Sequence, residues 1–447
     1  MAKILIRDAT IINEGRKYKG NVLINNEIIE KVYEGPIEDN ISFATVIDAS
    51  EKILVPGIID VHVHFREPGF TYKADIASES RAAVAGGITS FMDMPNTSPK
   101  TTTQNLLDEK IRIAEKSSVA NYSFYIGATN NNLEELLKIN PREVCGIKIF
   151  MGASTGDMIV DNLAVLRDIF SQSDMLLAVH CEDEKTINNN LNHYKAQYGE
   201  NIPVKYHPLI RNADACYKSS AAAVELAAKY NSRLHISHVS TERELALFAN
   251  NIPSKDKRIT SEVCIHHLWF SDNDYNKYGT RIKWNPAIKS NKDKEALFKA
   301  ILNGEIDLIA TDHAPHTLDE KNNSYLKAPS GGPMIQHSLI AMLEFYHRGK
   351  ISIENIINKM CHTPADIFQI EKRGYIKENY WADLLLIDLN YKWKVSPDNI
   401  LYKCKWSPFE NEIFHSAVSH TFVNGNLVYH DGKIIDSVLG KQLKFNR

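Results

Sequence analysis

ILVPGIIDVHVHF, residues 53–65, is an apolar, β-branched run that ends in polar residues. Such a composition reads as a buried strand, and His62 and His64, two apart, then point to one face of it. Seven further runs repeat the pattern: ITSFMDMPN (88–96), NYSFYIGAT (121–129), CGIKIFM (145–151), MLLAVHCED (175–183), RLHISHVS (233–240), RITSEVCIHH (258–267) and DLIATDHAP (307–315). Helical periodicity separates most of them, as in ADIASESRAAVAG (74–86), NLLDEKIRIAEK (105–116), NLAVLRDIFSQ (162–172) and KSSAAAVELAAKY (218–230). Eight strands alternating with helices over about 320 residues predict an α/β fold, a (β/α)8 TIM-type barrel. In that fold the C-terminal strand ends meet at one mouth, and His62, His64, Asn96, Lys148, His180, His238 and Asp312 all occupy such ends.

Both chain termini differ from this middle. ILIRDATII, NVLINNEIIEKVY and FATVIDA near the start, and DLLLIDL and AVSHTFVNGNLVYHDGKII near the end, are strand-rich, with Asn424-Gly425 marking a tight hairpin. They predict a small β-sandwich domain built from 1–52 and 378–447, leaving 53–377 to the barrel. The Asn-rich INNNLNH (187–193) reads as a surface loop or helix end.

Of the 447 residues 43% are hydrophobic, enough for a large core, and 52 basic against 55 acidic residues leave a net charge of -3. No basic block points to nucleic acid, and no long apolar run points to a signal or membrane segment. Six scattered cysteines without a CxxC pair suit a reducing cytoplasm better than a disulfide framework.

A lone HxH is weak evidence for a metal. His180 and His238 at equivalent strand ends, with the late Asp312, strengthen it; His235, three residues before His238, faces away and reads as structural. Lys148 sits between apolar residues in a buried strand, which is costly unless its charge is paired or removed. An ion pair or a CO2-derived carbamate would each answer that. His266 and His267 are adjacent, so only one can face the barrel interior, and neither is assigned to a metal. Glu182 and Asp183 are candidates for orienting ligands from behind. The loop GASTGDM (152–158) reads either as a lid or as an ordinary connection.

HVHFREPG (62–69), MPNTSP (94–99), KIF (148–150), HCED (180–183), SHVS (237–240) and TDHAPH (311–316) together resemble the amidohydrolase superfamily, and within it the dihydroorotase family. The motifs run in the expected order across about 55–375. The resemblance implies two divalent metal ions, Zn2+ first among the candidates. His62, His64 and Asp312 would hold one, His180 and His238 the other, and Lys148 as carbamate would bridge them. Asp157 is a minor alternative bridge. It further implies reversible hydrolysis of dihydroorotate by a hydroxide shared between the metals, with Asp312 as base and then acid. Arg66, Asn96 and His316 would clamp the substrate carboxylate. Asn285, in KWNPAI, and the backbone at Ser330-Gly331 match positions that contact the ring, although Asn285 can equally be a turn residue before Pro286. Allantoinase and dihydropyrimidinase share the cage, and non-catalytic scaffold relatives have lost ligands; no ligand is missing here. A homo-oligomer and association with aspartate transcarbamoylase are expectations at the family level.

Overall fold

The computed structural model describes residues 3–37, 45–152, 158–436 and 438–447. Asp157 and most of the 152–158 loop lie outside the described residues, as do the first two residues of FATVIDA.

The N-terminal strands are β1 (Lys3–Asn13), β2 (Arg16–Asn25), β3 (Ile28–Glu34) and β4 (Thr45–Asp48). NVLINNEIIEKVY is thus two strands, because Asn26 takes the left-handed conformation (φ 55°) and reverses the chain. The run 53–65 also divides, into β5 (Ile53–Pro56) and β6 (Ile58–Val63). The strands β7 (Ile88–Asp93), β8 (Asn121–Gly127), β9 (Gly146–Phe150), β10 (Leu177–His180), β11 (Leu234–Ile236), β12 (Ile259–Cys264) and β13 (Leu308–Ala310) follow. After them come β14 (Leu384–Asp388), a minor hairpin of β15 (Trp393–Lys394) and β16 (Ile413–Phe414), and β17 (Ala417–Val423), β18 (Asn426–His430) and β19 (Lys433–Ile434).

β6 to β13 form one parallel eight-stranded sheet in sequence order. It closes through a parallel bridge between Val63 and His313, where the His64 amide donates to the His313 carbonyl at 2.7 Å. Almost every residue in these strands is buried, as expected where helices cover one face and the barrel interior the other. The four helical patterns fold as Ile76–Ala85, Gln104–Ser117, Leu163–Gln172 and Ala213–Tyr230. Side chains of Asp75, Thr103, Asn162 and Asn212 cap their first turns. INNNLNH is mid-helix, not a loop: it lies within Glu184–Tyr198, capped by Asp183, with its asparagines turned largely to solvent.

The two termini share a nine-stranded sheet in which β5 links β1 to β14. Ile53–Pro56, the start of the run 53–65, thus pairs in this sheet with β1 and β14. At Asn424-Gly425 both φ values are positive, 48° and 75°, as a tight hairpin requires. A second departure concerns the last residues. Leu443 and Phe445 leave the terminal sheet and pack with Ile59, Met92, Tyr125 and Leu308 inside the foot of the barrel. Among the described residues no helix is long and apolar enough to cross a membrane.

Candidate metal centre and substrate clamp

The twelve residues that the resemblance assigns to metal and substrate all line one cavity of about 500 Å³ at the C-terminal mouth of the barrel. They are His62, His64, Lys148, His180, His238, Asp312, Arg66, Asn96, Asn285, His316, Ser330 and Gly331. Asp312 and His238 each lie two residues past a strand and have left-handed backbones (φ 46° and 40°), as does Arg66 (φ 68°). Such conformations cost on the order of 1 kcal/mol or more each and cluster where function demands them.

The buried donor atoms do not satisfy one another. His62 Nδ1 faces the Glu262 carboxylate, which can only accept, so Nδ1 carries the proton and Nε2 is a bare lone pair. That lone pair lies 3.4 Å from Asp312 Oδ1. His64 Nδ1 donates to Asn96 Oδ1 at 2.7 Å, and its bare Nε2 lies 3.2 Å from the same Asp312 oxygen. Three acceptors thus converge, all within 4.8 Å of one another. A second pair leaves a different orphan. His180 Nε2 donates to Glu182 at 3.1 Å, so its bare Nδ1 accepts from His238 Nε2 at 2.8 Å, and His238 Nδ1 is left buried with no partner among the described residues. Burial lowers the pKa of all four imidazoles, to about 3 for His64, so protonation does not relieve the convergence of acceptors at Asp312. Converging neutral imidazoles and a carboxylate fit a divalent cation.

Lys148 is fully buried on β9 and donates to Ser237 Oγ at 2.8 Å. Burial pulls its amine down to about 8. Asp312 moves the other way, because burial raises its carboxyl to about 6.

At the cavity's outer wall the imbalance reverses. Lys73, an obligate donor paired with Glu320 at 2.8 Å, lies 3.0 Å from His316 Nδ1, so Nδ1 accepts. The neutral ring then carries its proton on Nε2 and donates it to the Ser330 carbonyl at 3.0 Å. Arg66 Nη2, another donor, stands 3.0 Å from that same Nε2. Arg66 has no carboxylate partner among the described residues, and its Nε donates to the Pro315 carbonyl. Two N–H groups facing each other require an acceptor between or beside them, and a carboxylate supplies two.

The 325–331 loop completes the wall. Ser330 Oγ donates to Asn285 Oδ1 at 3.0 Å. Gly331 sits at φ 120°, and a Cβ there would meet the Ala314 carbonyl at 2.6 Å, so no larger residue fits. The buried Lys321 ammonium donates to the carbonyls of Lys283, Pro329 and Gly331, and Lys283 to those of Tyr325 and Ala328.

The structure separates several residues that sequence left together. His235 turns from the cavity to Thr260 and Glu262. His266 and His267 are both buried on the short helix Ile265–Trp269, His266 stacked on Trp284 at 4.5 Å, and neither lines the cavity. Of the acidic pair, Glu182 supports His180, whereas Asp183 caps a helix. Glu67, next to Arg66 in the chain, accepts the Ile76 amide. Glu262, Lys73, Lys283, Trp284 and Lys321 were not foreseen. The one available signal was a Glu inside the buried run TSEVC.

An amidohydrolase-family model matches residues 53–428. The chain belongs to the amidohydrolase family, and it is a hydrolytic enzyme. It is 31% identical over 416 residues to a dihydroorotase of Methanosphaera stadtmanae, covering 93% of this chain and 94% of that one. With a dihydroorotase of Halobacterium salinarum it shares 33% over 446 residues, 98% and 99% of the two chains. Among solved structures it superimposes on the L-hydantoinase (dihydropyrimidinase) of Arthrobacter aurescens with a TM-score of 0.92, 24% identity and coverage of 99% and 100%. The dihydropyrimidinase of Brevibacillus agri gives 0.88 at 23% identity, with both chains covered in full. At those identities the likeness speaks for the fold alone.

Proposed function

We propose that this chain is a dihydroorotase, which opens the ring of (S)-dihydroorotate to N-carbamoyl-L-aspartate and closes it in reverse, in the formation of UMP. The observation that carries this reading is the pair of opposed donors, Arg66 Nη2 and His316 Nε2, 3.0 Å apart on the wall of an acceptor-rich cage. A ring amide bearing a carboxylate satisfies that wall; allantoin and dihydrouracil lack the carboxylate. The curated relatives named dihydroorotase support the same reading.

His62, His64 and Asp312 would hold one divalent ion and His180 and His238 a second, with Zn2+ well suited to imidazole and carboxylate donors. Such ions would supply Lewis acidity, polarising the ring carbonyl and making water acidic enough to attack at neutral pH. Lys148, with its amine near 8, has a neutral fraction whose Nζ can add to CO2 and lose a proton. The resulting carbamate would put an anion with two oxygens where the ammonium stood, as a bridge between the two sites.

The chain's own residues do the rest. Arg66 and His316 bind the carboxylate and fix the ring's orientation. Asn96 holds the His64 tautomer, with its amide on the same wall. Asn285 and the Ser330-Gly331 backbone face the ring. Asp312, ionised near neutrality but raised by burial, takes the proton of the attacking water and returns it to the departing ring nitrogen. The reading extends to a cytoplasmic homo-oligomer able to associate with aspartate transcarbamoylase.

The test is an assay of the purified chain on dihydroorotate, allantoin and dihydrouracil, with and without a chelator. Turnover of dihydroorotate alone, abolished by the chelator and restored by Zn2+, is expected. Turnover confined to the other two rings overturns the substrate, and chelator-resistant turnover overturns the metal. A Lys148→Ala variant should be inactive and regain activity with a small carboxylic acid.

A further inference from the structure

We infer that Glu262 is the positioning residue that holds both halves of the donor cage in register, so that metal uptake at one half favours uptake at the other. The inference rests on the two-metal reading of that cage. Glu262 lies on β12, 1% exposed, and its two oxygens reach three other residues. Oε1 accepts His62 Nδ1–H, from the β6 half of the cage. The same oxygen accepts the backbone N–H of His238 at 3.1 Å, from the other half. Oε2 accepts His235 Nε2–H at 3.1 Å, and His235 Nδ1 is held in turn against Thr260 Oγ1 at 2.9 Å. Among the described residues Glu262 alone makes hydrogen bonds to a proposed ligand of each half.

Each bond has a chemical consequence. The bond to Nδ1 forces the His62 proton onto that nitrogen, so Nε2 is always the ligand atom, and it makes the ring a stronger donor. The bond to the His238 amide pins a left-handed residue (φ 40°) that would otherwise relax and swing its ring away. The two bonds share one oxygen, so a displacement of His62 is felt at His238. Ordering either half therefore removes part of the ordering cost of the other. The His235 contact fixes the carboxylate plane, which explains a buried histidine next to the site that touches neither cavity nor cage.

Removing a partner of this kind typically lowers metal affinity 10- to 100-fold. The experiment titrates Zn2+ into the metal-free full chain by calorimetry and counts bound metal after dialysis. Glu262→Gln keeps the shape but presents an amide, and should lose 10- to 100-fold in affinity at both sites. The two binding steps should also become independent. His235→Phe, which leaves Glu262 in place but frees its plane, should give a smaller loss in the same direction. Thermal unfolding with and without metal separates this from general damage: whatever His235→Phe costs the metal-free protein, the rise in unfolding temperature that Zn2+ adds should be smaller in the variant than in the wild type. Wild-type affinity and coupled uptake in Glu262→Gln overturn the inference. If that variant fails to fold, wild-type binding by His235→Phe overturns it instead. A wild-type chain that takes up no metal overturns the cage reading and this inference with it.

Discussion

Arg66 stands two residues beyond His64, and the resemblance carried by HVHFREPG made it visible in the sequence; its surroundings were not. A guanidinium on a surface would find a carboxylate. Here it is partly buried, brought down to about 10 by that burial, and faces a histidine that already donates elsewhere. An Arg–carboxylate bond in such a site contributes about 3 kcal/mol. Arg66→Met should therefore raise KM for dihydroorotate on the order of 100-fold, with a smaller fall in kcat, and steady-state kinetics at neutral pH would measure it. An unchanged KM would remove the carboxylate clamp. Glu320 holds the other end of this group through Lys73. Partial burial pushes its carboxyl up, but Lys73 and the Thr317 amide outweigh that and hold it well below its usual 4.5. A depressed carboxyl stabilises the fold fully above its unfolded value and loses that contribution as pH falls beneath it. In metal-free protein the stability advantage of wild type over Glu320→Gln should be constant above about pH 4.5 and shrink below it. Because Glu320 is partly exposed, the advantage should not exceed about 1 kcal/mol. Denaturant unfolding across pH 3–7 (a range of about four units around that value) would follow it.

Elements were legible where one segment carried its own pattern. β6 to β13 each announce themselves by a local apolar run with a polar end, and the helices between by local periodicity and a capping residue. Errors arose where a local pattern served two masters. The run 53–65 reads as one strand because both halves are apolar; only pairing with β14 reveals that Ile53–Pro56 serves the terminal sheet. The Asn-rich stretch 187–193 reads as loop by propensity, yet Asp183 starts a helix and Ile187 packs against Ile210 and Ala215, and tertiary burial prevails. The wall of the cavity was illegible for a related reason. Lys321 is a charged residue in a charged sequence, and nothing nearby says that its ammonium will gather three carbonyls from residues 283 to 331.

At the scale of the molecule the barrel is closed at both ends, by chemistry at the mouth and by the chain's last residues at the foot. Gln442 bridges Tyr122 at the start of β8, Leu443 donates its amide back to Tyr122, and Phe445 and Arg447 reach the segment before β9. Those partners are some 300 residues away in sequence, so no periodicity could expose them. Leu443 and Phe445 are fully buried in the cluster that fills the barrel interior, with Tyr125 and Phe368. The donor cage sits at the opposite strand ends, so the two should be separable. Phe445→Ala removes a buried aromatic from a packed core, a loss of about 3–5 kcal/mol. For a chain of this size that should appear as a drop in unfolding temperature of several degrees. Well below that temperature kcat, KM and bound metal should stay near wild type, because no cage or clamp residue touches Phe445. Calorimetric melting of Phe445→Ala beside kinetics at 20 °C (a temperature about room level, near the stability maximum) would decide it. Loss of metal or of kcat at full folding would mean that the foot of the barrel sets the geometry of the mouth, and the division of labour drawn here between core and site would fail.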